Sequence, residues 1–293
     1  MITSQVARLG WASRKLLEVL SGAWIAVLQC RRRCMCLIES LFDEIQRYDY
    51  GQVFRLTAAA VDELWLLTML CPLFVTDLRS DICTEFALVD ASNDWEAEVT
   101  TEVSRSVALE LGRQRLTRAA WSRLLTPYQA VQRLHGSLAP ADEVPPGEEA
   151  AVDHPLWSGV IKSSKFRLQW RKRVFNKPHI NVSEMAAALR SESRRARRWP
   201  GKRLLTGSDS QVVLGALIKG RSSSKVLNGQ LKRALPSVLA YNSYNYTQYV
   251  GSGDNVADDP TRDRACRLPT SAVASWITAI DHGDYDGLDK ERR

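Results

Sequence analysis

Two short apolar runs, each stopping on an aspartate, constrain this chain more than any other feature. "TEFALVDAS" (84–92) closes on Asp90 and "KRLLTGSDS" (202–210) closes on Asp209. Short apolar runs bounded by turn residues read as buried strands. Between them lies "NVSEMAAALRSESRRARRW", whose alanine- and leucine-rich interior predicts a helix. Asn181 or Ser183 can cap its start, and arginines crowd its end, where the helix dipole favours cations. "EAEVTTEVS" alternates with β-branched residues and predicts a hairpin partner for the first run. "FRLQWRKRVF" reads as a basic strand and "YTQYVGSG" as a further strand. Helices are expected over "QVVLGALIKG", closed by Gly220, and over "VLNGQLKRALPSVLAYN", interrupted at Pro236. "NVADDPTR" is expected to open the last helix. The fold class is α/β: a mixed sheet flanked by helices.

The first 80 residues differ in texture. Leu16, Leu17, Leu20, Trp24, Val27 and Leu28 recur at helical spacing, as do Leu37, Ile38, Leu41, Phe42 and Ile45. A third helical pattern runs until Pro72. "LLEVLSGAWIAVLQC" carries Glu18 and is too short to span a bilayer, so no membrane partner is expected. The expected organisation is a helical region at 1–80, an α/β domain at 81–265 with an insertion around 105–175, and a tail at 266–293. Within the insertion, "SLAPADEVPPGEEAAVDHP" (137–155) is acidic and proline-rich and reads as a poorly ordered loop.

A formal charge of +7 and clustered arginines favour a polyanionic partner, most simply nucleic acid. Six cysteines in 293 residues do not form a disulfide scaffold. "CRRRCMC" (30–36) reads as reduced cysteines on a helix rather than a zinc half-site, which fits an intracellular setting, cytoplasmic or nuclear.

In an open α/β sheet, ligands bind beyond the carboxyl ends of the strands. Asp90 and Asp209 lie there, Glu184 sits in the first turns of the intervening helix, and Asp258 stands at the start of another. Four acids at one sheet edge repel unless cations neutralise them. Magnesium, which prefers oxygen ligands, suits that set. The geometric expectation is that Asp90 and Asp209 lie on adjacent strands, with Glu184 and Asp258 facing them.

"VDAS", "HINVSEMAAA", "LLTGSDSQVVLGALIKGRSSS" and "YVGSGDNVADDPTR" together resemble the ribonuclease H domain of retroelement reverse transcriptases, of the DIRS-like and pararetrovirus type. The resemblance covers about residues 81–100 and 176–263, and residues 11–80 look more weakly like the connection region that precedes such domains. It implies a ribonuclease H-like mixed sheet. It also implies two magnesium ions, with manganese as the alternative, held by Asp90, Glu184, Asp209 and Asp258, and hydrolysis of the RNA strand of RNA–DNA hybrids. Asp258 rather than Asp259 matches the Asp of "N-x-A-D". Asn255 would cap the helix, and Thr261 and Arg262 would lie near substrate phosphate or hold the turn. The polymerase's own paired-aspartate motif is absent, so the polymerase portion becomes an expected partner. Arg194, Arg195, Arg197, Arg198, Lys202 and Arg203, with Arg262, form a basic set suited to hybrid phosphates; a solvated helix end explains the run equally well. The rival readings are a catalytically degenerate nucleic-acid-binding remnant of the same fold and, ranked lower, an integrase-type enzyme, which lacks a glutamate on the first helix at this spacing.

Overall fold

The computed structural model describes residues 2–117, 153–176 and 178–285. Most of the acidic stretch expected to be loosely ordered therefore lies outside the described residues. The chain opens with α1 (Ile2–Leu9), β1 (Trp11–Ser13) and α2 (Arg14–Leu28). A 3-10 segment, Gln29–Ile38, follows, with a break at Arg31, then α3 (Glu39–Arg47), β2 (Val53–Arg55) and α4 (Ala58–Leu70). The α/β part runs β3 (Ile82–Ala91), β4 (Trp95–Glu102), α5 (Arg105–Arg113), α6 (Pro155–Ser163), β5 (Arg167–Arg173), α7 (Ile180–Arg198) and β6 (Arg203–Ser208). It closes with α8 (Gln211–Lys219), α9 (Lys225–Ala240), β7 (Tyr244–Tyr249), α10 (Asp258–Thr261) and α11 (Ser275–Asp281).

Five strands form one mixed sheet in the order β5-β4-β3-β6-β7. The hairpin pairing of β3 with β4 is antiparallel, with Asp90 opposite Ala97. β5 adds antiparallel to β4, while β6 and β7 are parallel to β3. The parallel pairs follow from the helical crossovers α7 and α8–α9, because a strand rejoining the sheet through a helix returns in the same direction. The strands bearing Asp90 and Asp209 are therefore neighbours, and both acids leave the sheet at the same edge.

Alternation along β3 sorts the layers. Ile82, Phe86 and Leu88 face α5, α6 and α11, where Phe86 meets the buried indole of Trp157 edge-on at 5.1 Å. Trp276 and Ile280 of α11 belong to the same core, so the segment expected to be a tail packs on the sheet. On the other face lie α7, α8 and α9. Their Met185, Val213 and Leu231 share one continuous apolar core with Leu17, Leu41 and Leu64 of the N-terminal helices. Residue 80 thus marks where the sheet begins, and the core runs on across it.

Several local expectations change. Residues 1–80 contain the small β1–β2 ribbon as well as helices. α7 starts at Ile180, capped by the ring Nδ1 of His179, which accepts from the Asn181 N–H at 3.3 Å, so neither Asn181 nor Ser183 is the cap. α9 runs through Pro236, its buried Leu231, Leu235 and Val238 spanning the proline. α10 is a single turn, and α11 is the last helix described. Gly220 closes α8 as expected, with φ +69, and a Cβ there would stand 1.7 Å from the Arg32 carbonyl oxygen. The glycine lets the 3-10 segment approach the end of α8.

The arginine-rich half of α7 packs against acids on the sheet. Glu85 of β3 and Glu96 and Glu98 of β4 all point to the α7 face and are buried. Arg190 reaches Glu96 at 3.2 Å, and Arg194 grips Glu98 through two bonds of 3.0 and 2.7 Å. Arg195, with no exposed surface, donates to Glu85 Oε1 at 3.1 Å, to the Glu85 carbonyl, to the Leu205 carbonyl at 2.9 Å and to Thr206 Oγ1 at 3.1 Å. Spacing of three and four residues puts these guanidinium groups on one helix face. A buried ion pair is held by its hydrogen-bond geometry, and removal of the buried partner leaves the other charge poorly compensated.

Arg195→Met should therefore destabilise the chain by about 3–5 kcal/mol in urea unfolding, since Glu85 loses its buried cation. Gly220→Ala should cost at least about 2 kcal/mol, from the positive φ together with the clash. A change below about 0.5 kcal/mol in either would contradict the corresponding contact.

Candidate active site

The site is built from the ends of β3 and β6, the first turns of α7 and the loop after β7. Asp90, one residue before the end of β3, is 7% exposed. The Thr261 hydroxyl of α10 donates to its Oδ2 at 2.6 Å and lies close to the Asp258 carbonyl at 2.9 Å. Asp209 follows β6 directly and accepts a bond from Asn255 Nδ2 at 3.2 Å. The same amide group donates to the Val89 carbonyl, and its oxygen accepts from the Ala257 N–H, each at 3.2 Å. Asn255, fully buried, thus connects β3, the end of β6 and the start of α10. Glu184 faces the start of α8, where the Ser210 hydroxyl donates to its Oε2 at 2.5 Å.

Burial pushes the Asp90 carboxyl up to about 7, and the charges of Asp209 and Asp258 push the same way against the Thr261 hydrogen bond. Glu184 is raised by burial and by Asp209, against the Ser210 bond and the His179 ring. Asp90, Glu184 and Asp209 are therefore electrostatic neighbours, and Asp258 reaches Asp90. Among the described residues no three acid, histidine or cysteine side chains are already drawn together as a metal-ligand group. The donor set is nonetheless all carboxylate oxygen, at a sheet edge where like charges raise one another, which fits a hard divalent cation.

Asp258 is held differently from the other three. Arg262 Nε lies 2.7 Å from its Oδ1 and Arg264 Nη2 lies 3.1 Å from its Oδ2. The other acids of the loop are also partnered one by one. Asp259 is buried against Arg267 at 2.8 Å, Asp254 meets Lys162 at 3.1 Å, and Asp263 meets Arg171 at 2.6 Å. The acid-rich stretch is chiefly a set of structural ion pairs, from which Asp258 alone faces Asp90.

The basic set expected to meet phosphates is redistributed. Arg195 is buried and fully bonded, so it is not a phosphate contact. Arg194 and Arg198 spend their charge on Glu98 and Glu85, Lys202 lies 3.9 Å from Asp81, and Arg203 donates to the Leu78 carbonyl. Arg262 pairs with Asp258, and Arg197 is exposed. Sequence reasoning missed Ser210 as the partner of Glu184 and the bridging role of Asn255. Serine directly after the strand-ending aspartate was the available signal.

A carboxyl whose folded pKa lies above its unfolded value is penalised as it ionises. That penalty is absent below about pH 4, grows as the pH rises, and is complete above about pH 7. Asp90→Asn should accordingly gain stability over wild type on going from about pH 4 to pH 8, by up to roughly 4 kcal/mol, read from urea unfolding at both pH values. A stability difference that stays constant with pH would contradict the buried, charge-crowded placement of Asp90. No family model matches this chain, and no curated protein matches it.

Proposed function

We propose that this protein is a metal-dependent endonuclease of the ribonuclease H type, hydrolysing the RNA strand of RNA–DNA hybrids within a retroelement reverse transcriptase. The observation that carries the reading is the juxtaposition of Asp90 and Asp209 at the ends of neighbouring parallel strands, with Glu184 facing them from the crossover helix. The strand order and the strand–acid, helix–acid pattern agree with a ribonuclease H-like arrangement.

In this reading Asp90, Glu184, Asp209 and Asp258 would hold two magnesium ions, with manganese able to replace them, although Asp258 is paired with Arg262 and Arg264 here. Bound there, the ions would lower the pKa of a water and stabilise the leaving 3′ oxygen. The chain's own residues provide rigidity. Thr261 fixes the carboxylate plane of Asp90, Asn255 sets that of Asp209, and Ser210 that of Glu184. Arg262 and Arg264, exposed beside Asp258, are the cations placed to meet a phosphate there. The ribose 2′-OH distinguishes the RNA strand.

A second reading, a binding remnant without catalysis, is favoured by the arginines that occupy Asp258 and by the loss of Arg194 and Arg195 to internal pairs. Cleavage of a labelled hybrid in magnesium or manganese separates the two. Wild type should cleave the RNA strand, and Asp209→Asn should lose at least about a hundredfold in rate while still binding hybrid. Asp263→Asn, an exposed acid outside the cluster, should cleave like wild type. Asp259→Asn is no neutral control, since its pairing with Arg267 is structural. Hybrid binding without cleavage by wild type would establish the remnant reading, and equal cleavage by wild type and Asp209→Asn would sink the assignment of the site.

A further inference from the structure

The 3-10 segment of the N-terminal region and the outer edge of β7 enclose a cleft of about 540 Å³, away from the carboxylates. Tyr244, on its wall, starts β7, five residues before Tyr249, so at about 3.3 Å per residue it lies some 16 Å from the sheet edge that carries Asp209. No carboxylate lines the cleft among the described residues.

Three guanidinium groups converge there without an acid partner among the described residues. Arg32 is exposed and donates to the Gln29 side chain at 3.2 Å and the Thr117 carbonyl at 3.5 Å. Arg115 donates to the Gly112 carbonyl at 2.8 Å and lies over the Tyr246 ring at 3.9 Å. Arg31 is 4% exposed and lies over the Tyr244 ring at 4.4 Å. Its Nη2 donates to the carbonyls of Val238 and Ser243, at 2.9 and 3.0 Å, but its Nε has no partner. Burial pulls the Arg31 pKa down.

Buried donors in native proteins are ordinarily satisfied. Besides Arg31 Nε, the Asn245 amide nitrogen and the Ser243 hydroxyl are buried here without partners, while the Asn245 oxygen is fixed by the Thr206 hydroxyl at 2.7 Å. A wall of spare donors and guanidinium groups, with no carboxylate in the lining among the described residues, is complementary to an oxyanion bearing several acceptors. Phosphate is that group. The volume suits one or two nucleotide units and is too small to admit the width of a duplex. Tyrosine and guanidinium planes beside the cations are the surfaces on which unpaired bases stack.

We propose that this cleft binds the phosphodiester backbone of a single nucleic-acid strand, as a site separate from the carboxylate cluster. The inference does not depend on the nuclease reading. It is tested on the full chain with the Asp209→Asn substitution and chelator present, so that no hydrolysis enters. The probe is a fluorescein-labelled single-stranded oligothymidylate of about 12 nucleotides, followed by anisotropy over a range of salt concentrations.

The Arg32→Gln/Arg115→Gln variant should bind on the order of tenfold or more weakly, from the loss of two charge-assisted contacts. Its slope of log affinity against log salt should fall by about 1.4, at roughly 0.7 per phosphate contact in single strands. Arg8→Gln/Arg47→Gln removes the same charge from exposed positions of α1 and α3 outside the cleft and should bind like the parent. Equal weakening by the two double variants would reduce the effect to net charge and overturn the site. Competition by pyrophosphate as effective as that by the oligonucleotide would overturn the strand assignment, and so would a parent chain that does not bind the probe.

Discussion

A guanidinium group with no access to solvent, Arg195, ties α7 to β3 and β6 at once. Through it and the neighbouring pairs of Arg190, Arg194 and Arg198, the helix has one register on the sheet. Glu184 sits about three turns before Arg195 on the same helix, so its height over the ends of β3 and β6 is set by that ion-pair layer. These pairs add direction to the packing, because any shift of α7 along the sheet would strand the buried charge of Arg195. The chain thus uses its arginines to position an acid.

The carboxylate edge inverts that arrangement. On the α7 face each acid has its cation, and the charges cancel locally. At the edge, Asp90, Asp209 and Glu184 are hydrogen-bonded by Thr261, Asn255 and Ser210, and none of them forms an ion pair with Lys or Arg among the described residues. These partners orient the carboxylates and leave them uncompensated, which is why burial and mutual repulsion raise Asp90 and Glu184. The divalent cation proposed for this edge would supply the counter-charge that the arginines do not. Asp258 stands between the two regimes, near Asp90 yet paired with two exposed arginines.

Much of the frame was legible in the sequence because it rests on local pattern. Apolar runs ending in Asp90 and Asp209 located adjacent strands, and the alternation after Asp90 located β4. The function of the arginines was not legible. Glu96 and Glu98 alternate with small and apolar residues, so they read equally as a solvated strand face. Only the packing of α7 shows that this face is buried and that the helix supplies its counter-charges. Pro236 misled for a similar reason: local propensity predicts a break, but Leu231, Leu235 and Val238 pack into one core across it. Asn255 looked like a helix cap, and its longer-range bonds to Val89 and Asp209 depend on a sheet edge that spacing alone does not reveal.

The acids at the ends of β3 and β6 are proposed to form a divalent-cation site. Manganese scatters X-rays anomalously, so crystals soaked in manganese locate it directly. An anomalous peak should appear within bonding distance of carboxylate oxygens of both Asp90 and Asp209, and be absent from Asp209→Asn crystals treated alike. Full occupancy elsewhere with none at these two residues, or an unchanged peak in Asp209→Asn, would contradict it.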